Sequence, residues 1–190
     1  MAVAIPVVLL MTVALGLLIE RAAYKPLRSA PRMSVMISAI GVSYLLQNLA
    51  TYITGGLARP YPEIPFLKGT FMLGELKIMV ITVVTPLLTV LLVIALVLFI
   101  NHTKTGMAMR AVSRDFDTAR LMGIKVNNII SVTFIIGSFL AGVGSILYFS
   151  NYGQVSPTIG AMPGLKAFVA AVFGGIGSIP GAVLGAYIIG

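Results

Sequence analysis

The chain has 190 residues, of which 58% are hydrophobic and 9% charged, with no cysteine, a single histidine and a formal net charge of +8. A mean hydropathy of +1.05, set against the roughly 25% charged residues of a soluble domain, reads as an integral membrane protein. Disulfides, thiol chemistry and cysteine metal sites are excluded, His102 alone makes no metal site, and basic residues confined to the stretches between apolar runs mark membrane topology rather than a nucleic-acid surface.

Five segments approach or exceed the ~20 apolar residues that cross a bilayer: residues 1–19, 33–54, 78–100, 129–149 and 163–190. The expected fold is an all-α polytopic membrane helical bundle forming one domain over 1–190, with no cofactor and no metal. The first intervening stretch carries Arg21, Lys25, Arg28 and Arg32, the second Arg59, Lys68 and Lys77, the third Lys104, Arg110, Arg114, Arg120 and Lys125, and the fourth none. The positive-inside rule puts the first and third stretches in the cytoplasm, and residues 55–77 and 150–162 outside. An apolar run beginning at Met1 without a basic flank is not a cleaved signal peptide. A hydrophobic run still in progress at Gly190 predicts a piece of a longer protein.

The second span aligns Ser34, Ser38, Gly41, Asn48 and Tyr52 along one helical stripe, with Gln47 beside it. Polar side chains in lipid are expected to turn toward the bundle interior, either to bond another helix or to meet a solute, which makes Ser38, Gln47 and Asn48 substrate-path candidates. All five acids, Glu20, Glu63, Glu75, Asp115 and Asp117, are placed outside the hydrocarbon. A transporter driven by protons or sodium usually carries an intramembrane carboxylate, and no phosphate-binding G-x-x-x-x-G-K-[ST] loop occurs here. Energy is therefore expected from a separate cytoplasmic ATPase, unless transport is passive.

Residues 101–128 form a polar island holding five of the thirteen basic residues and two of the five acidic ones. Within it, Gly106 to Gly123 has helical periodicity. Met107, Ala108, Ala111, Val112, Phe116, Ala119 and Met122 share one arc, and Arg110, Ser113, Arg114, Asp117 and Arg120 occupy most of the rest. Asp117 is spaced for weak pairs with Arg114 and Arg120, worth about 0.3 kcal/mol each. Asp115 breaks the apolar arc and is a candidate cap for a second short helix. The helix lies flat on anionic headgroups or docks into a protein groove; the abundance of alanine, which inserts poorly into lipid, favours docking.

In the last segment Gly177, Gly181 and Gly185 recur every four positions, as do Ala167, Ala171 and Gly175. This small-xxx-small pattern reads either as close helix packing or as lining of a solute path. Pro180 and the run Gly174-Gly175-Ile176-Gly177-Ser178 are expected to break the helix, which at membrane depth is tolerated where protein covers it or it lines a cavity. Gly174, Gly175, Gly177 and Pro180 join the substrate-path candidates. Lys166 either draws a carboxylate to the outer mouth or snorkels to the interface.

Several stretches resemble one family: Glu20-Arg-Ala-Ala-Tyr-Lys-Pro-Leu-Arg28, Ile37 to Ser43 with Gln47-Asn48, Gly106 to Gly123, and Gly164-Leu-Lys-Ala-Phe168 leading into Gly174 to Gly181. In that order they are similar to the permease subunits of bacterial branched-chain amino-acid ABC importers, of the LivH type. The resemblance implies an inner-membrane permease that is not itself an enzyme, working with a second permease, two cytoplasmic ATPases and a periplasmic binding protein that delivers an amino acid; no nucleic acid is involved. ABC importer permeases meet their ATPase through a short helix with an E-A-A-x-x-x-G pattern. Asp117, Ala119 and Gly123 keep its acid, second alanine and glycine, while Thr118 replaces the first alanine. The resemblance thus implies that residues 101–128 hold a coupling helix, with Arg110, Arg114, Asp117, Ala119 and Gly123 at the ATPase contact. The competing reading is a passive channel or facilitator for small polar solutes such as amides or urea.

Overall fold

The computed structural model describes residues 4–27, 32–61, 69–73, 76–175 and 177–190. In chain order the elements are α1 (Ala4–Ile19), a π-helical turn (Glu20–Tyr24), α2 (Arg32–Thr54), β1 (Arg59–Pro60), β2 (Thr70–Leu73), β3 (Leu76–Met79), α3 (Val80–His102), α4 (Lys104–Arg114), α5 (Phe116–Leu121), α6 (Val126–Tyr152), β4 (Gln154–Val155), α7 (Ala161–Phe173) and α8 (Ile179–Ile189). Met1, Arg28, Glu63, Lys68, Glu75 and Ile176 lie outside the described residues.

The fold is an all-α polytopic helical bundle. Among the described residues, Ala4–Tyr24, Val80–His102 and Val126–Tyr152 are long and apolar enough to cross a membrane. Their sequences explain why: each is apolar around its whole circumference, the signature of a helix that faces lipid or protein on every side. α2 has 23 residues and a more polar composition. The third span starts at Val80 rather than earlier, because the residues before it pair as an antiparallel hairpin, with Thr70 opposite Met79 and Leu73 opposite Leu76.

Two compact units emerge, residues 1–44 with 60–154, and residues 45–59 with 155–190. In the first, α1 lies along α6, and α3 and α4 also pack on α6. Two glycines allow α1 and α6 to approach at backbone distance: a Cβ on Gly16 would collide with the Ser138 side chain, and one on Gly142 would come within 2.9 Å of a Leu9 methyl. This is small-residue packing of the kind that joins membrane helices, and it falls on helices where the sequence reading had not looked for it.

In the second unit the expected fifth span is corrected. It is two helices of 13 and 11 residues, about 20 and 17 Å long at a 1.5 Å rise per residue, each short of the ~30 Å hydrocarbon core. Backbone contacts of Gly174 with Gly181 and of Ala170 with Gly185 run in opposite chain directions, so α7 and α8 form an antiparallel hairpin. The break falls at the predicted glycine run, where Gly175 and Gly177 take φ of +89° and +98° and Ser178 caps α8 by accepting from the Gly181 N–H at 3.2 Å. Gly177 is therefore in the turn and not on a helix face with Gly181 and Gly185. The opposing face of α7 is Ala170, 4% exposed, while Ala167 and Ala171 are exposed.

Candidate functional site

The polar island folds as two helices, not one rod. Thr103 ends α3 and starts α4: its hydroxyl donates to the Phe99 carbonyl at 2.7 Å and accepts from the Gly106 N–H at 3.0 Å. Gly106 sits so close to the Ile100 backbone that a Cβ would strike it, which is how α4 folds back tightly under α3. α4 ends at Asp115, whose backbone is extended at φ −152° and ψ 119°. The Asp115 carboxylate accepts from the backbone N–H of Asp117 at 2.9 Å and of Thr118 at 3.3 Å, and from the Thr118 hydroxyl. These bonds, led by the Thr118 hydroxyl, hold the Asp115 carboxyl below its ordinary value of 3.8. The acid that spoiled the single-helix pattern is the N-cap of α5.

α5 ends in a Schellman turn. Ile124 N–H donates to the Ala119 carbonyl at 3.1 Å and Gly123 N–H to the Arg120 carbonyl at 3.0 Å, with Gly123 at φ +80°, a conformation that favours glycine. Between cap and turn, Ala119 is 3% exposed against Val112 and Val126, with Ile124, Ile129 and Ile130 packed around them. α4, α5 and the base of α6 thus share one small apolar core.

The five expected coupling residues separate in this geometry. Arg110, Arg114, Asp117 and Gly123 are exposed, and Arg110 donates to Asn101 Oδ1 at 3.2 Å. Ala119 faces inward, so its small size serves the contact with α4 and α6. Among the described residues Asp117 pairs with neither Arg114 nor Arg120, because the kink at Asp115 disrupts the continuous helical spacing that the Arg114 pairing needed. The large apolar side chains exposed on the module are Leu121 at 87%, Met122 at 78%, Met107 at 53% and Phe116 at 49%. On the apolar side of α4, Val112 is buried in the shared core while Met107 stays exposed.

Glu20 is buried where the end of α1 meets α6. Helical structure continues from α1 through Tyr24, with the Lys25 N–H reaching five residues back to the Glu20 carbonyl at 2.8 Å. Glu20 is therefore inside the helical segment Ala4–Tyr24 and 1% exposed, and it accepts from Ser131 of α6 at 3.2 Å. A carboxylate is thus buried near the C-terminal end of the first long apolar helix. π-turns of this type arise mostly at functional positions.

The substrate-path candidates fall in both compact units, Ser38 in the first and the others in the second. On α2, Ser38 and Gln47 are half-buried and Asn48 exposed, and the stripe residues Ser34, Gly41 and Tyr52 are also exposed, so the expected inward stripe is not packed inside either unit. Lys166 is exposed on α7; Gly174, Gly175, Gly177 and Pro180 form the hairpin turn and the first residues of α8. What the sequence reading missed is a cavity of about 360 Å³ between α3 and α6, lined by Ile81, Thr82, Thr85, Pro86, Thr89, Gly144, Leu147, Tyr148 and Asn151. The signal was present: residues 82, 85, 86 and 89 fall on one helical face, but they sit in a run read as uniformly apolar.

Comparison with known proteins now bears on this arrangement. The chain is 42% identical over 187 residues to the high-affinity branched-chain amino acid transport system permease protein BraD of Pseudomonas aeruginosa, covering 96% of this chain and 60% of that protein. It is 40% identical over 182 residues to LivH of Escherichia coli, a permease protein of the same description, covering 93% and 58%. It is 31% identical over 196 residues to a probable branched-chain amino acid transport permease protein LivH of Methanocaldococcus jannaschii, covering 98% and 60%. The chain spans about three-fifths of the length of these relatives. No solved structure matches. The family described as branched-chain amino acid transport system / permease component matches residues 1–190 in full, and the chain belongs to it.

Proposed function

We propose that this protein is a permease subunit of an ABC importer in a bacterial inner membrane, translocating branched-chain or related amino acids. Two cytoplasmic ATPase subunits would drive it, beside a second permease and a periplasmic binding protein. The observation that carries this reading is the α4–α5 module at the cytoplasmic end of α3 and α6. A helix of six residues has no independent stability, yet α5 is capped at both ends and locked by Ala119 onto the base of α6, while Leu121 and Met122 stand out from it. That construction suits a lever: a push on α5 reaches α6 without being absorbed by fraying. The residues proposed to feel the ATPase are Arg110, Arg114 and Asp117 around the exposed Leu121 and Met122, with Ala119 and Gly123 holding the module in shape.

The test is the complete protein purified with its neighbours and reconstituted in vesicles. Leucine, isoleucine or valine, presented with the binding protein, should stimulate ATP hydrolysis and be taken up. Replacing Leu121 and Met122 together by Ser should leave membrane insertion intact and weaken ATPase association by about tenfold, the cost of losing exposed apolar anchors at an interface. Undiminished association and uptake would overturn the docking assignment.

A further inference from the structure

We infer that the α3–α6 cavity is a transit site for the zwitterionic head and aliphatic body of an amino acid, an assignment that rests on the transport reading above. Its α3 wall offers acceptors. The Thr85 hydroxyl donates to the Ile81 carbonyl and the Thr89 hydroxyl to the Thr85 carbonyl, both at 2.8 Å, so each proton is committed and each oxygen turns only lone pairs outward. Pro86 lies inside α3 and has no N–H for the Thr82 carbonyl four residues back, which leaves that acceptor without its helical donor on the cavity-lining face. Three acceptors within two turns suit an ammonium group.

The α6 wall is different. Asn151 brings amide N–H donors that suit a carboxylate, and beside it the Tyr148 ring, stacked on Tyr152 at 4.4 Å, closes the wall. Between these walls lie Ile81, Pro86, Gly144 and Leu147, an apolar floor for an aliphatic side chain. A volume of about 360 Å³ falls in the range of small-molecule sites, which runs from roughly 300 to 1,000 Å³. Among the described residues no charged side chain lines the cavity. Neutral groups bind a zwitterion weakly, and a transit site must release what it admits. The cavity lies at the outward ends of α3 and α6, where Tyr61 of the outer segment stacks on Phe149 with ring centroids 6.1 Å apart and its N–H donates to the Gly153 carbonyl at 2.9 Å.

The chain contains no cysteine, so introduced thiols give a clean readout in this segment. In the complete complex reconstituted in vesicles, Thr85→Cys and Gly144→Cys should react with a membrane-impermeant thiol reagent added from the outer side. L-leucine supplied with the binding protein should slow that reaction, whereas empty binding protein should not. Thr85→Val combined with Thr89→Val should raise the KM for leucine uptake about tenfold, the loss of hydrogen bonds to a charged group, and Ser at both positions should restore it. Unreactive thiols, protection by empty binding protein alone, or Val and Ser variants that behave alike would each overturn the inference. If the unaltered complex takes up no leucine, the transport reading falls and this inference with it. Leucine uptake with unprotected thiols removes the transit site alone.

Discussion

The two ends of the α3–α6 pair are built on opposite principles. At the end where α3 meets α4, Thr103, Gly106, Asp115 and Gly123 close every turn, and Val112, Ala119 and Val126 form a core with exposures of 3 to 5%. At the other end, α6 stops at Gly153 with φ +68°, and the space between the helices is left open, its apolar lining interrupted by the threonines of α3. On the reading proposed above, one end would transmit a displacement without deforming and the other would admit something small. Both ends belong to the same two helices, about 34 and 40 Å long for 23 and 27 residues at a 1.5 Å rise, so motion imposed at the closed end would have a direct route to the open one.

The comparison is broken most severely by Ala119→Asp. A carboxylate placed against Val112 and Val126 is buried without a partner, a cost of roughly 3 kcal/mol or more, and α5 should detach from α6. The expected outcome is rapid proteolysis within residues 115–125 in native membranes together with loss of ATP-driven uptake, while thiol reactivity at the outer cavity is unchanged. Loss of reactivity at both ends would mean that the two ends are not independently built.

Gly123 gives a smaller and more discriminating effect. Nothing lies within 4 Å of a Cβ at this position, so its backbone conformation and not its size is the constraint. Gly123→Ala should cost about 1–2 kcal/mol for a left-handed residue, and Gly123→Asn less, since asparagine tolerates that region. Thermal melting of the purified complex separates the two; equal effects from Ala and Asn would mean that the glycine is needed for space against a partner.

These residues show what could be read from the chain. The breaks in the chain were legible: Asp115 as a cap and Gly174 to Ser178 as an interruption both follow from local chemistry. What a break leads to was not. A hairpin and a kinked span read alike in hydropathy, and only the contacts of Gly181 and Gly185 with Gly174 and Ala170 tell them apart. The burial of Glu20 and the helix running on to Tyr24 were not legible, because a π-turn carries no sequence period of its own and a charged residue normally marks the end of a span. The motif was legible in spacing, and its local structural setting was not. Ala119 and Gly123 match a docking pattern, yet the first is buried and the second caps, and the departure from the pattern at Thr118 is explained by its hydroxyl bond to Asp115.

Asp115 adds a pH signature to the closed end. Its carboxyl is depressed by hydrogen bonds from Thr118 and Asp117, so its contribution to α5 is complete above the ordinary carboxylate value and disappears only as pH falls through the lower folded value, below 3.8. Across neutral and mildly acidic pH the module should not respond. Asp115→Asn should retain the cap and Asp115→Ala should lose it, with faster proteolysis at residues 115–125 as the measure. A transition of the α5 segment near neutral pH, unchanged in Asp115→Asn, would place the sensitive group elsewhere.

The smallest effect is expected at the outer side, from Lys166→Gln. Lys166 is exposed on α7, and an exposed ammonium held in high dielectric contributes little to any single contact. If the carboxylate of the solute is recognised by the neutral amide donors of Asn151, removing this charge should leave kcat unchanged and alter KM for leucine uptake by about twofold or less, an effect that fades as salt screens it. Asn151→Leu should then exceed Lys166→Gln by a wide margin at every ionic strength. The reverse order would assign recognition of the carboxylate to a formal charge on α7, and the open end of α3 and α6 would be a passage without selectivity.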